Sequence, residues 1–99
     1  MSFVFDVADR TGRKIHLSKE RWSHVTSPMS PHAYMINYLE EIKLTLIQPD
    51  SIIGSHNDES KVNYYKYAKE NKEYFRVIVK YLNGNGFVIT AYIVRNISK

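Results

Sequence analysis

The chain has 99 residues, and a hydrophobic share of 43% suits one domain with a single core, which we take as residues 1–99. It contains no cysteine, so disulfides and thiolate metal sites are excluded. No apolar run approaches the roughly 20 residues that cross a bilayer, and the first residues lack the zones of a signal peptide. The sequence therefore predicts a cytoplasmic protein with no membrane partner.

The net charge of +4 is unevenly distributed along the chain. Residues 61–99 contain eight Lys and Arg against two Glu, whereas residues 1–60 contain six Lys and Arg against eight acidic residues. Positive charge gathered in one part of a domain raises the local concentration of phosphate groups, which favours a polyanionic partner. A basic surface that is only solvated explains the same charge.

The chain opens with two short strand patterns, at residues 4–7 and 14–17. The segment between them contains Gly12, which supplies the backbone freedom that a turn needs. We therefore expect two strands around a turn, each of them a candidate for the edge of a sheet.

Two helices are predicted next. Ser18 has the position of an N-cap, so the first helix should run from about residue 19 to residue 27. Pro31 at a first helical position starts the second helix, which ends at residues 48–50. The buried stripe of this second helix, at steps of three and four residues, comprises Met35, Tyr38, Leu39, Ile42 and Leu46.

The second half of the chain is dominated by strand patterns. Strands are predicted over residues 51–54 and 62–68, and two more lie within residues 75–95 on either side of a turn at 83–85. Because the helices come first and the antiparallel strands last, the order indicates an α+β domain. In this fold, short N-terminal strands and two helices pack on one face of a four-stranded antiparallel sheet.

The last hairpin has the clearest pattern of faces. Its predicted inward residues are apolar: Phe75, Val77, Val79, Tyr81, Phe87, Ile89, Ala91 and Ile93. The predicted outward residues are Arg76, Ile78, Lys80, Val88, Thr90, Tyr92 and Val94. A three-residue loop keeps both apolar sets on one face and places Arg76 opposite Tyr92, whereas an even-numbered loop would not.

Four segments carry a resemblance to a known family: Arg-Trp-Ser-His-Val at 21–25, Tyr-Tyr-Lys-Tyr at 64–67, Arg-Val-Ile-Val-Lys at 76–80, and Phe-Val-Ile-Thr-Ala-Tyr at 87–92. In order and pattern they resemble the phage barnase–EndoU–colicin–RelE-like (BECR fold) nuclease superfamily, in particular its small toxins. The resemblance covers most of the chain and implies two helices followed by a four-stranded antiparallel sheet. Relatives often have a His-Pro-like element after the first helix, whereas this chain has Pro31 before His32.

The resemblance also implies an activity, namely RNA cleavage without a metal or other cofactor. The 2′-hydroxyl attacks the adjacent phosphate and leaves a cyclic phosphate, which requires a base, an acid and cations that stabilise the pentavalent phosphate. A toxin of this type would be held in check by a protein antitoxin or inhibitor that covers the basic face.

The candidate catalytic residues are His24, Arg76, Thr90 and Tyr92. An imidazole can transfer protons near neutral pH, a guanidinium can hold phosphate oxygens with two prongs, and hydroxyls can donate hydrogen bonds. The candidate RNA-binding residues are Lys66, Tyr64 and Lys80. Alternation sends Tyr64 and Lys66 to one face, which we take as the outward one, and Tyr65 and Tyr67 to the other.

Simpler explanations remain for these residues. A histidine beside Trp22 on a short helix is often a packing residue, and Thr90 and Tyr92 are common strand formers. The alternative function is a non-catalytic nucleic-acid- or protein-binding module of a mobile element or virus, which predicts salt-sensitive binding without strand scission. The aromatic content also suits a subunit of a larger particle.

Overall fold

The fold is α+β, as the order of the elements predicted. It is seen in a computed structural model that describes residues 3–97. Within these residues there are six strands, two α-helices and one 3₁₀ helix. In chain order they are β1 (Phe3–Ala8), β2 (Lys14–Ser18), α1 (Lys19–Thr26), the 3₁₀ helix (Ala33–Asn37), α2 (Leu39–Ile47), β3 (Ser51–Gly54), β4 (Lys61–Ala68), β5 (Glu73–Leu82) and β6 (Asn85–Val94).

All six strands belong to one mixed sheet, in the order β1-β2-β6-β5-β4-β3. Neighbouring strands are antiparallel except β2 and β6, which run parallel with Ile15 opposite Gly86 and His16 opposite Phe87. The prediction of a four-stranded antiparallel sheet is therefore wrong. The two N-terminal strands extend the sheet, because β2 pairs with the last strand of the chain.

The first helix was predicted to within one residue, but the second was not. Ser18 caps α1, since its Oγ accepts the backbone N–H of Arg21 at 3.0 Å. No α-helix starts at Pro31. Hydrogen bonds that span three residues, such as Tyr38 N–H to the Met35 carbonyl, hold the 3₁₀ helix instead, and α2 begins only at Leu39.

One core joins the helices to one face of the sheet. The helices contribute Val25, Met35, Ile42 and Leu46, and the sheet contributes Phe5, Ile15, Leu17, Tyr64, Phe75, Val77, Val79, Val88 and Ala91. The apolar residues predicted for the second helix do reach the core, because Met35, Ile42 and Leu46 are buried and Tyr38 and Leu39 pack against them. They do not form one helical stripe, since Met35 belongs to the 3₁₀ helix and Tyr38 precedes α2. Within residues 3–97, no helix is long and apolar enough to cross a membrane.

The hairpin between β5 and β6 has a two-residue turn, so the predicted three-residue loop is wrong. Asn83 and Gly84 both have positive φ, 54° and 82°, and Leu82 pairs with Asn85. These dihedrals are typical of the turn that Asn-Gly forms between twisted antiparallel strands. The even-numbered loop places Val79 opposite Val88 and Lys80 opposite Phe87.

A bulge then restores the predicted register in the half of the hairpin that is distant from the turn. The pairing shifts between Ile78 and Val79, and beyond that point Ile78 lies opposite Thr90 and Arg76 opposite Tyr92. On the turn side of the bulge the β6 faces are reversed from the prediction. Val88, which was predicted outward, is only 2% exposed, whereas Phe87 lies on the face opposite the core.

Candidate functional site

The face of the sheet opposite the core, called here the outer face, has Arg76 near its centre. Nη1 of Arg76 donates to the Tyr92 hydroxyl at 2.6 Å, while Nε and Nη2 donate to Oδ1 of Asn63 at 3.3 and 3.1 Å. The guanidinium carbon lies 5.8 Å from the ring centroid of Tyr65 and 5.4 Å from that of Tyr92. Neutral neighbours thus fix the guanidinium, and some of its N–H groups have no partner among residues 3–97.

Strand register explains this grouping. Arg76 is opposite Tyr92 on β6 and opposite Tyr65 on β4, and Asn63 precedes Tyr65 by two residues on the same face. The ion pairs within residues 3–97 are Arg13–Asp9, Lys43–Glu40 and Lys80–Asp58, and none includes Arg76. Because no carboxylate among these residues neutralises it, the guanidinium can attract an anion.

A histidine that the sequence did not assign completes the group. The ring of His32 stacks on Tyr92 with 4.6 Å between centroids and 12° between planes. Its segment is fastened to β6, because the Tyr34 hydroxyl accepts the backbone N–H of Ile93 at 3.0 Å. Imidazole, phenol and guanidinium therefore follow one another in direct contact, a row that we call the His32–Tyr92–Arg76 row.

A shallow cavity of about 140 Å³ opens beside Arg76. It is lined by Arg76 and Asn63 of the sheet and by Ile53, Gly54, Ser55, His56 and Asn57 at and after the end of β3. This cavity brings a second imidazole, that of His56, to the Arg76 end of the row. An anion held by Arg76 would have room on this side.

Three of the four predicted catalytic residues share the outer face, and the fourth does not. Arg76, Thr90 and Tyr92 lie together, with Thr90 opposite Ile78. His24 is exposed on α1 and lines a different cavity with His16 and Phe87. From Phe87 to Tyr92 the strand covers roughly 15 Å, so His24 is not part of the row around Arg76.

The prediction that Tyr64 and Lys66 face outward is wrong. Tyr64 is 0% exposed in the core, and Lys66 lies on the same face, where its Nζ donates to the Gln48 carbonyl at 3.0 Å. The register of β4 puts Asn63 and Tyr65 outward instead. Lys80 does lie on the outer face, but its Nζ is 3.6 Å from the carboxylate of Asp58.

Tyr64 belongs to a buried polar cluster at the core side of the sheet. Its hydroxyl donates to Oδ2 of Asp9 at 2.8 Å and bonds to the hydroxyl of Tyr81, and Arg13 contacts both Asp9 and Tyr64. Burial raises the pKa of the Asp9 carboxyl, but hydrogen bonds from Thr11 and Tyr64 outweigh it and hold the pKa below its ordinary value. Burial also raises the pKa of Tyr64 far above its ordinary value. The hydrogen-bonding groups of these side chains are paired within the cluster, so the cluster fastens the β1–β2 turn to the core.

Across residues 3–97, no three His, Asp or Glu side chains are grouped as the ligands of a metal ion would be. The chain matches no family model, and comparison with curated proteins and with solved structures finds no match either. The chemistry of the outer face is therefore the basis for a functional proposal.

Proposed function

We propose that the protein is a metal-independent endoribonuclease of the toxin type, in line with its resemblance to the BECR fold nucleases. The observation that carries the proposal is the His32–Tyr92–Arg76 row. It combines a proton-transfer group, a hydroxyl and a cation that has no carboxylate partner among residues 3–97, on the face opposite the core. Together with the imidazole of His56, which lines the cavity beside Arg76, the row supplies the base, acid and cation that phosphodiester transesterification needs.

The proposed reaction assigns a role to each group. The 2′-oxygen attacks phosphorus while His32 accepts its proton, and the bond from phosphorus to the 5′-oxygen breaks. The products are a 2′,3′-cyclic phosphate and a 5′-hydroxyl, whose proton comes from a second imidazole, that of His56 in the lining of the cavity beside Arg76. Arg76 holds the non-bridging oxygens through its free N–H groups, and the Thr90 and Tyr92 hydroxyls donate to the developing negative charge.

The test uses purified protein and RNA in excess chelator, with the ends of the products identified. We expect cyclic phosphate ends, and His32→Ala and Arg76→Gln should each lower kcat by about 10²- to 10⁴-fold. Lys19→Gln is a charge control on the exposed side of α1, and His24→Ala tests the assignment made from sequence, with kcat expected to stay unchanged because His24 lies outside the His32–Tyr92–Arg76 row. Loss of activity with His24→Ala but not with His32→Ala would overturn the site proposed here and favour the assignment made from sequence.

The second candidate is a nucleic-acid-binding module without catalysis. It is favoured by the separation of His24 from Arg76 and by the ion pair that occupies Lys80. This candidate predicts RNA binding that weakens with salt and depends on Arg76, with intact RNA recovered after long incubation.

The remaining parts of the proposal concern partner and location. An antitoxin would be an acidic protein that covers the outer face and neutralises Arg76, so it should protect RNA and lose affinity with Arg76→Gln. A cytoplasmic location is proposed with it, because the substrate is RNA.

A further inference from the structure

A second aromatic group lies on the outer face at the other end of β6. The rings of Phe3, His16 and Phe87 form a stack, with 4.3 Å between the centroids of Phe3 and His16 and 6.1 Å between those of His16 and Phe87. The parallel pairing of β2 with β6 places His16 opposite Phe87, and β1 adds Phe3, which is 37% exposed. We call these three residues the aromatic platform.

A cavity of about 350 Å³ adjoins this platform. It is lined by His16, Phe87 and Val88 of the sheet and by Ser18, Glu20, Arg21 and His24 at α1. The volume lies within the range of small-molecule sites. Its lining offers both hydrogen-bond donors and an acceptor beside aromatic rings.

The mixed charge of this lining indicates what the cavity would bind. A carboxylate from Glu20 beside Arg21 would repel a phosphate but can accept an N–H from the edge of a base. A base can also stack on an aromatic ring, and this contact tolerates any base because each has a π-face. Among residues 3–97, the side chains of His16, Glu20 and His24 are not grouped as metal ligands would be. A metal ion therefore fits the cavity less well than a nucleobase does.

We propose that the aromatic platform and its cavity bind a nucleobase of single-stranded RNA whose phosphate, a few nucleotides away, is held at Arg76. The aromatic platform and Arg76 both lie on the outer face along β6, roughly 15 Å apart, so one extended strand can reach both. The inference rests on the proposed function and names its substrate class, because a base stacked inside a duplex cannot reach the platform. The net charge of +4 favours the same occupant.

Binding is tested apart from cleavage, with a fluorescent single-stranded RNA of about ten nucleotides whose 2′-hydroxyls are methylated. The same strand annealed to its complement provides the duplex. Phe87→Leu should weaken single-strand binding about tenfold while Tyr67→Leu, which removes another exposed aromatic ring on β4, should bind as the wild type does. Phe3→Leu, at the exposed edge of the platform, is the second variant if Phe87→Leu unfolds.

Cleavage of unmodified RNA adds a second readout. Phe87→Leu should raise the KM for the ten-nucleotide RNA far more than that for a dinucleotide, because a dinucleotide cannot reach both sites. Equal binding of single strand and duplex by the wild type, or unchanged single-strand binding by both platform variants, would overturn the inference. Wild-type protein that binds the methylated single strand through Phe87 but cleaves no RNA would overturn the proposed function alone.

Discussion

Two adjacent tyrosines of β4 allow a matched test of what a buried phenol hydroxyl contributes to stability. Tyr64 and Tyr65 are both 0% exposed, and alternation places them on opposite faces of the sheet. The Tyr64 hydroxyl donates to the Asp9 carboxylate at 2.8 Å, whereas the Tyr65 hydroxyl has no hydrogen-bond partner among residues 3–97. Removing the oxygen should therefore destabilise the protein at Tyr64 but not at Tyr65.

The magnitudes follow from these contacts. A hydrogen bond to a charged group contributes about 1.5–3 kcal/mol, and Asp9 keeps donors from Thr11 and Arg13, so Tyr64→Phe should cost about 2 kcal/mol. In a domain of this size that lowers Tm by roughly 10 °C. Tyr65→Phe removes a desolvated hydroxyl without a partner and should be neutral or raise the unfolding free energy by about 1 kcal/mol.

The cost of Tyr64→Phe should also depend on pH. The pKa of Asp9 lies below its ordinary value of 3.8 because hydrogen bonds from Thr11 and Tyr64 outweigh the effect of burial. A carboxyl group with a lowered folded-state pKa stabilises the fold above its ordinary pKa, and this contribution is lost as the pH falls through the folded-state pKa. The difference in unfolding free energy between wild type and Tyr64→Phe should therefore shrink as the pH falls from about 5 to about 2.

Urea unfolding followed by circular dichroism at both ends of this pH range checks the prediction. Tyr67→Phe is the control, because Tyr67 is 43% exposed and loss of its hydroxyl should change the unfolding free energy by less than about 0.5 kcal/mol. Equal costs for Tyr64→Phe and Tyr65→Phe would refute the reasoning about hydrogen-bond partners. A cost of Tyr64→Phe that is the same at both pH values would refute the role given to Asp9.

Three further predictions about stability can be checked by the same urea titrations. Gly86→Ala places a Cβ atom 2.7 Å from Cε1 of Tyr81 and should cost about 1–3 kcal/mol, whereas Gly54→Ala meets nothing within 4 Å and should cost less than about 0.5 kcal/mol. Ser18→Ala removes the N-cap oxygen of α1 and should cost about 1 kcal/mol, with a loss of helical signal. Gly84→Ala puts a side chain at a φ of 82° and should cost about 1 kcal/mol, seen also as a lower Tm.

Each of these has an outcome that contradicts it. Gly86→Ala as stable as Gly54→Ala would mean that the Tyr81 ring moves aside, despite its bond to Tyr64. Ser18→Ala with unchanged stability would show that solvent satisfies the first turn of α1 as well as the hydroxyl does. A neutral Gly84→Ala would mean that the turn adopts another backbone conformation.

The strands were predictable because their alternation is a local property of the sequence. Strand β3 has the predicted bounds, Ser51–Gly54, and the other strands lie close to where they were predicted. The parallel contact of β2 with β6 joins segments far apart in the chain and leaves no periodic signal. At the last turn, the Asn83-Gly84 dipeptide predicts the observed two-residue loop better than the alternation of faces does. The bulge compensates for the even-numbered loop, so the alternation beyond it still agrees with the register predicted from a three-residue loop.

The sequence predicted the site residues where the strand register depends on a hairpin between consecutive strands, and not elsewhere. Arg76, Thr90 and Tyr92 were expected on one face and lie there, while their catalytic roles stay predictions. In β4 the run of tyrosines has no contrast between apolar and polar faces, so the choice of Tyr64 over Tyr65 had no physical basis in the sequence. The contact of His32 with Tyr92 depends on the path of the segment before the 3₁₀ helix, which no local pattern encodes.

The parallel contact between β2 and β6 has a consequence for synthesis of the protein on the ribosome. Strand β2 can pair with β6 only after Gly86 and Phe87 have left the exit tunnel, so an N-terminal fragment keeps one edge of β2 open until then. The aromatic platform and the Arg76 site both need β6, and neither exists in a nascent chain that stops at the last turn. Neither proposed site can therefore form on the ribosome until strand β6 has been synthesised.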